Sequence, residues 1–245
     1  MSAQTLLEVD GLSKRFGGVA AVSGATFSVD TGTITGLIGP NGSGKTTVFN
    51  MITGYLKADA GTVRFEGERV RRPNPRRLYR RGLSRTFQQA RVFPEMTLVE
   101  NLVVAVAVPV WALGRRGISR TDAARAEELL DRFGLGSHAH RRASELSFGQ
   151  RKLLEFATVL MGRPRLVLLD EPASGVNPLM IEQMERHIRD VHADGVTFLV
   201  VEHDMNLVMR LCDPIVVLDH GAKIAEGHPD DVRADPAVLD AYLGG

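Results

Sequence analysis

The chain has 245 residues, 44% of them hydrophobic and 24% charged, so it can bury a core and its composition excludes a largely disordered protein. The formal net charge of +1 at pH 7 argues against nucleic acid as a partner, and the single cysteine, Cys212, excludes an intramolecular disulfide framework. The longest apolar run, residues 102–113, contains Pro109 and is too short to span a bilayer, and the first residues lack the pattern of a secretory signal. We therefore expect a protein without a membrane span of its own, which can still work at a membrane.

Short apolar runs alternate with helical patterns along the chain, which favours an α/β fold. In chain order the patterns predict a strand at 34–38, a helix at 46–52, a short strand at 63–66, an amphipathic helix at 122–133, a helix at 147–161, a strand at 166–169, a helix at 180–192, and strands at 197–201 and 215–218. Residues 91–159 are predicted to be helical, with few strand signals. We expect one α/β core, formed by residues 1–90 and 160–227, interrupted by a helical subdomain at 91–159 and followed by a short helical tail at 228–245.

The first chemical motif is Gly39-Pro40-Asn41-Gly42-Ser43-Gly44-Lys45-Thr46, which matches G-x-x-x-x-G-K-[ST] between a predicted strand and a predicted helix. Glycines let backbone N–H groups approach phosphate closely, and the helix N-terminus adds its positive dipole end. The Lys45 ammonium can bridge the β- and γ-phosphates, and the Thr46 hydroxyl can ligate Mg²⁺. The motif predicts a nucleoside triphosphate site, without separating kinase, GTPase, helicase and transport ATPase. The predicted nucleotide contacts here are Gly39, Asn41, Gly42, Ser43, Gly44, Lys45, Thr46 and Thr47.

An acidic pair, Asp170 and Glu171, follows the aliphatic run 166–169. A buried strand of a parallel sheet would deliver Asp170 at its carboxyl end, where ligands bind in open α/β sheets. Asp170 then suits a water-mediated contact to Mg²⁺, and Glu171 could polarise an attacking water as general base. A strand that runs into an acidic turn is the alternative, and the phosphate loop upstream favours the functional assignment.

A third motif, Leu146-Ser147-Phe148-Gly149-Gln150, opens the helix that precedes the Asp170 strand. Ser147 suits an N-cap, and the helix start would leave N–H groups and a positive dipole end pointing outward, as an anion site needs. A plain helix cap explains the same residues equally well. The motif therefore indicates a function only when its position relative to the other motifs is considered.

The motifs occur in the order phosphate loop, Gln88, residues 146–150, Asp170-Glu171 and His203. In this order of motifs the chain resembles the ATP-binding cassette (ABC) ATPases over nearly its whole length. The resemblance implies a RecA-like P-loop NTPase core with an antiparallel β edge and an inserted α-helical subdomain. It also implies ATP and Mg²⁺ as cofactors and ATP hydrolysis as the activity.

The resemblance assigns further roles position by position. Phe16 stands where the family places an aromatic side chain on adenine, and a core phenylalanine is its alternative. Gln88 matches the glutamine that touches Mg²⁺ and water and senses the membrane partner. His203 matches the switch histidine that positions water and the γ-phosphate. The implied catalytic set is Glu171, His203, Gln88 and Lys45, and the implied metal ligands are Thr46, Gln88 and Asp170.

Residues 146–150 match the family signature, in which Ser147, Gly149 and Gln150 would contact the γ-phosphate of ATP held by the opposite subunit. Two positions depart from the family pattern. Phe148 replaces the first glycine of the usual Leu-Ser-Gly-Gly-Gln, which affects the expected rate and dimer geometry. Asn177 replaces an aspartate that many cassettes carry, and its amide can hydrogen-bond across an interface but brings no charge.

Because the family signature acts in trans, the resemblance implies a dimer with two ATP molecules sandwiched between the subunits. ATP would close the pair, and hydrolysis would release it. The implied partners are a second ABC ATPase subunit, identical or different, transmembrane permease subunits and, indirectly, an extracytoplasmic substrate-binding protein, without nucleic acid. The expected location is peripheral, at the cytoplasmic face of the inner membrane.

Residues 69–91 contain nine arginines and no acidic residue. A solvated charged face is the ordinary explanation of such a run. Contact with anionic lipid headgroups or acidic loops of a membrane subunit is the alternative.

Several segments are similar to the ATPase subunits of branched-chain amino acid importers, namely residues 16–22, 84–88, 93–102, 175–178 and 235–244. ATPases for import of urea, amides or other hydrophobic amino acids and for lipopolysaccharide export are similar as well. Non-transport cassettes that act on ribosomes or in DNA repair usually carry two cassettes or long coiled-coil insertions. A small-molecule kinase would not need residues 147–150 or His203. Both classes are therefore weaker alternatives.

Overall fold

The structure, a computed structural model, describes residues 4–70, 74–87, 91–106 and 119–243. The strands within these ranges are β1 (Thr5–Phe16), β2 (Val19–Asp30), β3 (Ile34–Ile38), β4 (Ala60–Phe65), β5 (Glu68–Arg69), β6 (Leu83–Arg85), β7 (Leu166–Asp170), β8 (Thr197–Val201), β9 (Ile215–Asp219) and β10 (Ala222–Gly227). The helices are α1 (Lys45–Ile52), α2 (Pro75–Arg80), α3 (Leu98–Ala105), α4 (Arg120–Arg132), α5 (Phe148–Leu160), α6 (Pro178–Ala193), α7 (Met205–Leu211), α8 (Pro229–Ala234) and α9 (Pro236–Leu243). Across these ranges, no helix combines the length and apolarity that crossing a bilayer requires.

The central sheet has six strands in the order β10-β9-β3-β8-β7-β6, parallel except for β10 at one edge. Every residue of β3, β7 and β8 is buried, as expected for parallel strands covered on both faces. The pairing of Asp170 with Val201 aligns the carboxyl ends of β7 and β8 at one edge of the sheet. The α/β class is confirmed, and this edge is where a ligand site belongs.

The second sheet has the order β2-β1-β4-β5 and is antiparallel, as the resemblance implies. The sequence patterns predict no strand before residue 34, yet β1 and β2 are each 12 residues long. Their register shifts several times, for example between Val9 and Leu12, so the alternation that reveals a half-buried strand is broken. The predicted strand 63–66 corresponds to β4, which begins earlier, at Ala60.

Two hydrophobic cores cover the two faces of the central sheet. Leu37, Leu168 and Leu199 point to the core shared with α1 and the antiparallel sheet. Their neighbours Ile38 and Leu169 point to the other core, shared with α3 to α7. This alternation follows from the two-residue period of a strand, and each fully buried aliphatic side chain stabilises the fold by about 1.5–3 kcal/mol.

The described residues between 91 and 160 form α3, α4, α5 and two 3₁₀ turns, without a strand. The two helices predicted there match α4 and α5 within two residues at each end. Helix α3 begins with a capping box, in which Thr97 and Glu100 exchange hydrogen bonds. The helices share their core with α6 and α7. The subdomain boundaries at 91–159 therefore stay a prediction.

Candidate nucleotide-binding site

The phosphate loop connects the carboxyl end of β3 to the first residue of α1, Lys45. Two of its glycines, Gly39 and Gly44, are required by close contacts as well as by backbone angles. Gly39 has φ of 149°, and a Cβ there would lie 2.0 Å from the carbonyl oxygen of Leu218. Gly44 has φ of 100°, and a Cβ there would lie 2.5 Å from the carbonyl oxygen of Ala21. Only glycine fits such positions, so the loop can expose its backbone N–H groups around a phosphate.

The Lys45 side chain lies inside this loop. Its Nζ donates hydrogen bonds to the carbonyl oxygens of Gly39 at 2.7 Å and Pro40 at 2.9 Å. Burial lowers the pKa of Lys45, and the carboxylate of Glu171 opposes this shift. A partly desolvated ammonium attracts a phosphate more strongly than one in water. The remaining predicted contacts lie around it, with Ser43 buried, Gly44 and Thr47 half-buried, and Asn41, Gly42 and Thr46 exposed.

The C-terminal helix α9 also reaches this loop, which the sequence did not predict. Burial raises the pKa of the Tyr242 phenol, and a hydrogen bond with the Gly39 backbone opposes the rise. The contact joins the C-terminal helix to the phosphate loop, and no sequence pattern signals it.

Asp170 is buried at the end of β7 and forms an ion pair with Arg85, whose Nη2 lies 2.7 Å from its Oδ2. The backbone N–H of Asp170 donates to the Thr86 hydroxyl at 3.2 Å. Arg85 also donates to Asn50 Oδ1 at 2.7 Å and to Thr53 Oγ1 at 3.1 Å, both on the α1 segment. Arg85 thus links the predicted metal ligand to the phosphate-loop helix, and the sequence noted it only as part of the basic run.

Glu171 and His203 are brought together, as their predicted roles require. Glu171 Oε1 lies 2.9 Å from His203 Nε2, and the Glu171 N–H donates to the Val201 carbonyl at 2.9 Å. Glu171 has φ of 50°, a left-handed conformation that costs about 1–2 kcal/mol in a residue with a side chain. Backbone strain at this carboxylate is consistent with a functional position.

Three further charged residues, Lys152, Glu155 and Glu202, are buried around the acidic pair. Burial lowers the pKa of Lys152, although nearby carboxylates oppose this. Burial raises the pKa of Glu155 to about 7 and also raises the pKa of Glu202. The sequence patterns did not single out these three residues. Charged residues on the inward face of α5 are an available signal for Lys152 and Glu155.

The signature residues form the N-terminus of α5. Ser147 Oγ accepts the Gln150 N–H at 3.3 Å and Gln150 Oε1 accepts the Ser147 N–H at 2.9 Å, so Ser147 is the N-cap that the sequence predicts. A Cβ on Gly149 would lie 2.8 Å from Met180 Cε, the flexible end of a side chain on α6, so Gly149 lies directly against α6. The exposed ring of Phe148 lies beside Gly175, in the loop between β7 and α6.

The remaining predicted residues have mixed outcomes. Phe16 is about half exposed, at 51%, so its ring is accessible to a base and it is not a core residue. Asn177 caps α6 by accepting the Met180 N–H at 2.9 Å. Gln88 lies outside the described residues.

The basic run is not one uniform charged face. Arg71 and Arg72 lie outside the described residues, while Arg85 is buried against Asp170. Arg81 forms ion pairs with Glu66 and Glu68. Arg85 and Arg81 therefore pair with acidic residues of the same chain, instead of forming a solvated charged face or a contact with lipid headgroups or a membrane subunit.

Two family models match the chain. Residues 22–174 match the family described as ABC transporter, which covers more than half of the chain. Residues 222–245 match the family described as branched-chain amino acid ATP-binding cassette transporter.

Individual relatives are similar over their whole length. The high-affinity branched-chain amino acid transport ATP-binding protein BraF of Pseudomonas aeruginosa is 41% identical, with 99% of each chain covered. The corresponding LivG protein of Salmonella typhimurium is 40% identical, also with 99% of each chain covered. A solved ADP conformation of an ATP-binding cassette of an ABC transporter superposes with a TM-score of 0.89 at 36% identity, covering 99% of this chain and 100% of that chain.

Proposed function

The chain belongs to the ABC transporter family, and from this premise we propose that it is the ATP-hydrolysing subunit of an importer for branched-chain amino acids. The substrate proposal rests on BraF and LivG, which are named as branched-chain amino acid transport proteins and match over the full chain. The match of residues 222–245 to the branched-chain model supports it independently of the nucleotide motifs. The observation that carries the ATPase assignment is the buried Lys45 in its glycine loop, facing the Glu171–His203 pair.

In this mechanism the phosphate loop binds the triphosphate, and Lys45 neutralises its charge. The Thr46 hydroxyl and the Asp170 carboxylate are hard oxygen donors, which suit Mg²⁺. With Gln88 they would hold the ion, which stabilises the charge that develops on the phosphates. Glu171 takes a proton from the attacking water, and His203 orients the carboxylate from 2.9 Å away. Phe16, with its accessible ring, would stack on the adenine.

The working form is a pair of cassettes, each completing the nucleotide site of the other. The N-terminus of α5 carries exposed Ser147 and Phe148, where a partner's nucleotide could be contacted. Dimer closure and release would drive permease subunits, with the chain bound peripherally at the cytoplasmic face of the membrane. An extracytoplasmic binding protein would supply the amino acid.

The change Glu171→Gln tests the catalytic assignment. We expect ATP hydrolysis to fall by about 100-fold or more, because the general base is lost while ATP binding stays. ATP-bound dimer should then accumulate, as seen by size-exclusion chromatography with light scattering. The control Glu182→Gln, on an exposed residue of α6, should hydrolyse like the unchanged protein. Continued hydrolysis by Glu171→Gln would refute the assigned role.

The substrate is tested with the complex of this chain and its co-purified permease subunits in vesicles. We expect ATP-driven uptake of leucine, isoleucine or valine in the presence of their binding protein. Uptake of urea or amides in their place, or lipopolysaccharide extraction, would replace the substrate proposal while leaving the ATPase assignment intact.

A further inference from the structure

Two buried charged residues outside the predicted nucleotide contacts touch the backbone of the catalytic loops. Lys152 on α5 and Glu202 after β8 each have only 4% of their surface exposed. A buried charge is unfavourable unless it is paired and hydrogen-bonded, so its partners show what it holds in place.

Lys152 acts on the residue proposed as general base. Its Nζ donates a hydrogen bond to the backbone carbonyl oxygen of Glu171 at 2.9 Å. Glu171 is held in a left-handed backbone conformation, and a bond to its own carbonyl fixes the peptide that sets the direction of its side chain. The carboxylates of Glu155, Glu202, Glu171 and Asp170 all favour the charged form of the lysine.

Glu202 acts on both sides of the same catalytic pair. Its Oε1 accepts the Ala173 N–H at 2.5 Å, and its Oε2 accepts the His203 N–H at 3.0 Å. A single carboxylate therefore ties the loop after Glu171 to the residue that pairs with Glu171. Lengthening either bond would change the distance between Glu171 and His203.

Lys152 also belongs to the helix that starts at the signature motif. The aromatic ring of Phe148 lies 5.7 Å from Lys152 Nζ and beside Gly175 of the loop that follows Glu171. Because Phe148 and Lys152 lie one helical turn apart, a shift of the N-terminus of α5 would move the lysine that is hydrogen-bonded to Glu171.

We propose that Lys152 and Glu202 form a clamp, built from the signature helix and the β8 end, that positions the Glu171–His203 pair for hydrolysis. This proposal rests on the proposed ATPase site and adds positioning residues to it. Neither residue is among the predicted nucleotide contacts. The clamp makes the geometry of the general base depend on the position of the signature helix.

The test compares Lys152→Met, which keeps the apolar stem and loses the donor, with Lys152→Arg, which keeps a donor. We expect Lys152→Met to lower kcat by about 10- to 100-fold, since small misplacements of a catalytic group have effects of this size. The KM for ATP should stay within about 3-fold, because the phosphate loop is untouched. Lys152→Arg should recover part of the lost kcat, and Lys57→Met, on an exposed lysine, serves as control.

A double variant separates positioning from a merely structural role. If Lys152 acts through Glu171, adding Lys152→Met to Glu171→Gln should not lower the residual rate further. Glu202→Gln keeps one acceptor oxygen and should lower kcat less than Lys152→Met, and it also serves if Lys152→Met does not fold.

Three results would overturn the clamp. The first is an unchanged kcat in folded Lys152→Met. The second is a rise in the KM for ATP as large as the fall in kcat. The third is a fall in the residual rate, when Lys152→Met is added to Glu171→Gln, as large as the fall that Lys152→Met causes alone. Failure of Glu171→Gln itself to stop hydrolysis would instead refute the proposed base, so the two failures are distinguishable.

Discussion

The phosphate loop and the acidic edge of the site are built by different means. The loop obtains its shape from backbone geometry, with glycines such as Gly39 and Gly44 pressed against neighbouring carbonyl oxygens. The acidic edge obtains its shape from buried charged side chains, since Asp170 is held by Arg85 and Glu171 by Lys152. Substitutions in the backbone-built region should destabilise the fold through steric clash. Substitutions in the charge-built region should destabilise it by leaving a buried charge unpaired, and the stability contributed by that region should depend on pH.

The largest effect is expected at Gly39, on the backbone-built side. In Gly39→Ala the new Cβ would lie 2.0 Å from the Leu218 carbonyl oxygen and 2.6 Å from Ser43 Oγ, so the loop must shift. We expect a loss of about 3–4 kcal/mol in the free energy of unfolding, from strain plus a clash with rigid backbone, and loss of ATP binding. Chemical denaturation and a fluorescent nucleotide titration measure the two.

Gly42 provides the matched control for that comparison. It has φ of 83°, and a Cβ there would meet no atom within 4 Å. Gly42→Ala should therefore cost only about 1–2 kcal/mol, from the left-handed conformation alone. Equal losses in the free energy of unfolding for Gly39→Ala and Gly42→Ala would show that packing against neighbouring atoms does not shape the loop.

The next effect is expected at Arg85, on the charge-built side. Arg85→Met keeps most of the volume but leaves the Asp170 carboxylate buried without its cation, and removing one partner of a buried ion pair costs about 3 kcal/mol or more. Adding Asp170→Asn removes the unpaired charge, so the double variant should recover part of the loss. Urea unfolding measures both.

An exposed pair supplies the control for Arg85. Arg64 lies 3.2 Å from Glu8, and their side chains are 48% and 43% exposed. Arg64→Met should change stability by less than about 1 kcal/mol, because water screens the pair. A loss at Arg64 as large as that at Arg85 would contradict the assignment of stability to buried pairing.

The same contrast explains what the sequence could predict. The phosphate loop is contiguous, so its eight residues and the strand and helix beside it were readable from the pattern. Central strands such as β7 and β8 were readable because both faces are buried and their residues are continuously aliphatic. The α/β class followed from these elements, whereas the roles of Glu171 and His203 were implied together only by the family resemblance.

The charge-built side was not readable in the same way. Arg85 contacts a residue 85 positions away, and Lys152 contacts one 19 positions away, so only the folded sheet brings them together. Strands β1 and β2 were missed because their register shifts interrupt the two-residue period. Long-range pairing and bulges leave no local pattern.

The smallest expected effect concerns pH and Glu155, which belongs to the charge-built side. Its Oε1 accepts the N–H groups of Phe87 at 3.0 Å and Arg91 at 3.4 Å. Burial raises the pKa of Glu155 from 4.5 to about 7, with Lys152 and Arg91 opposing the shift. Between these two pKa values the folded protein binds a proton that the unfolded chain has released, so this residue lowers stability as pH rises from about 4.5 to 7.

Glu155→Gln removes the titrating carboxyl group and should therefore remove its contribution to the pH dependence of stability. We expect the free energy of unfolding of the unchanged protein, relative to Glu155→Gln, to fall by about 2–3 kcal/mol between pH 5 and pH 8. Glu202 is present in both proteins, so its own raised pKa cancels in the difference. A difference that stays constant with pH would mean that Glu155 is charged throughout the window, and a difference that grows with pH would reverse the assigned sign. Gly42→Ala measured across the same range should show no such change relative to the unchanged protein, because the backbone-built side holds its shape without a titrating carboxylate.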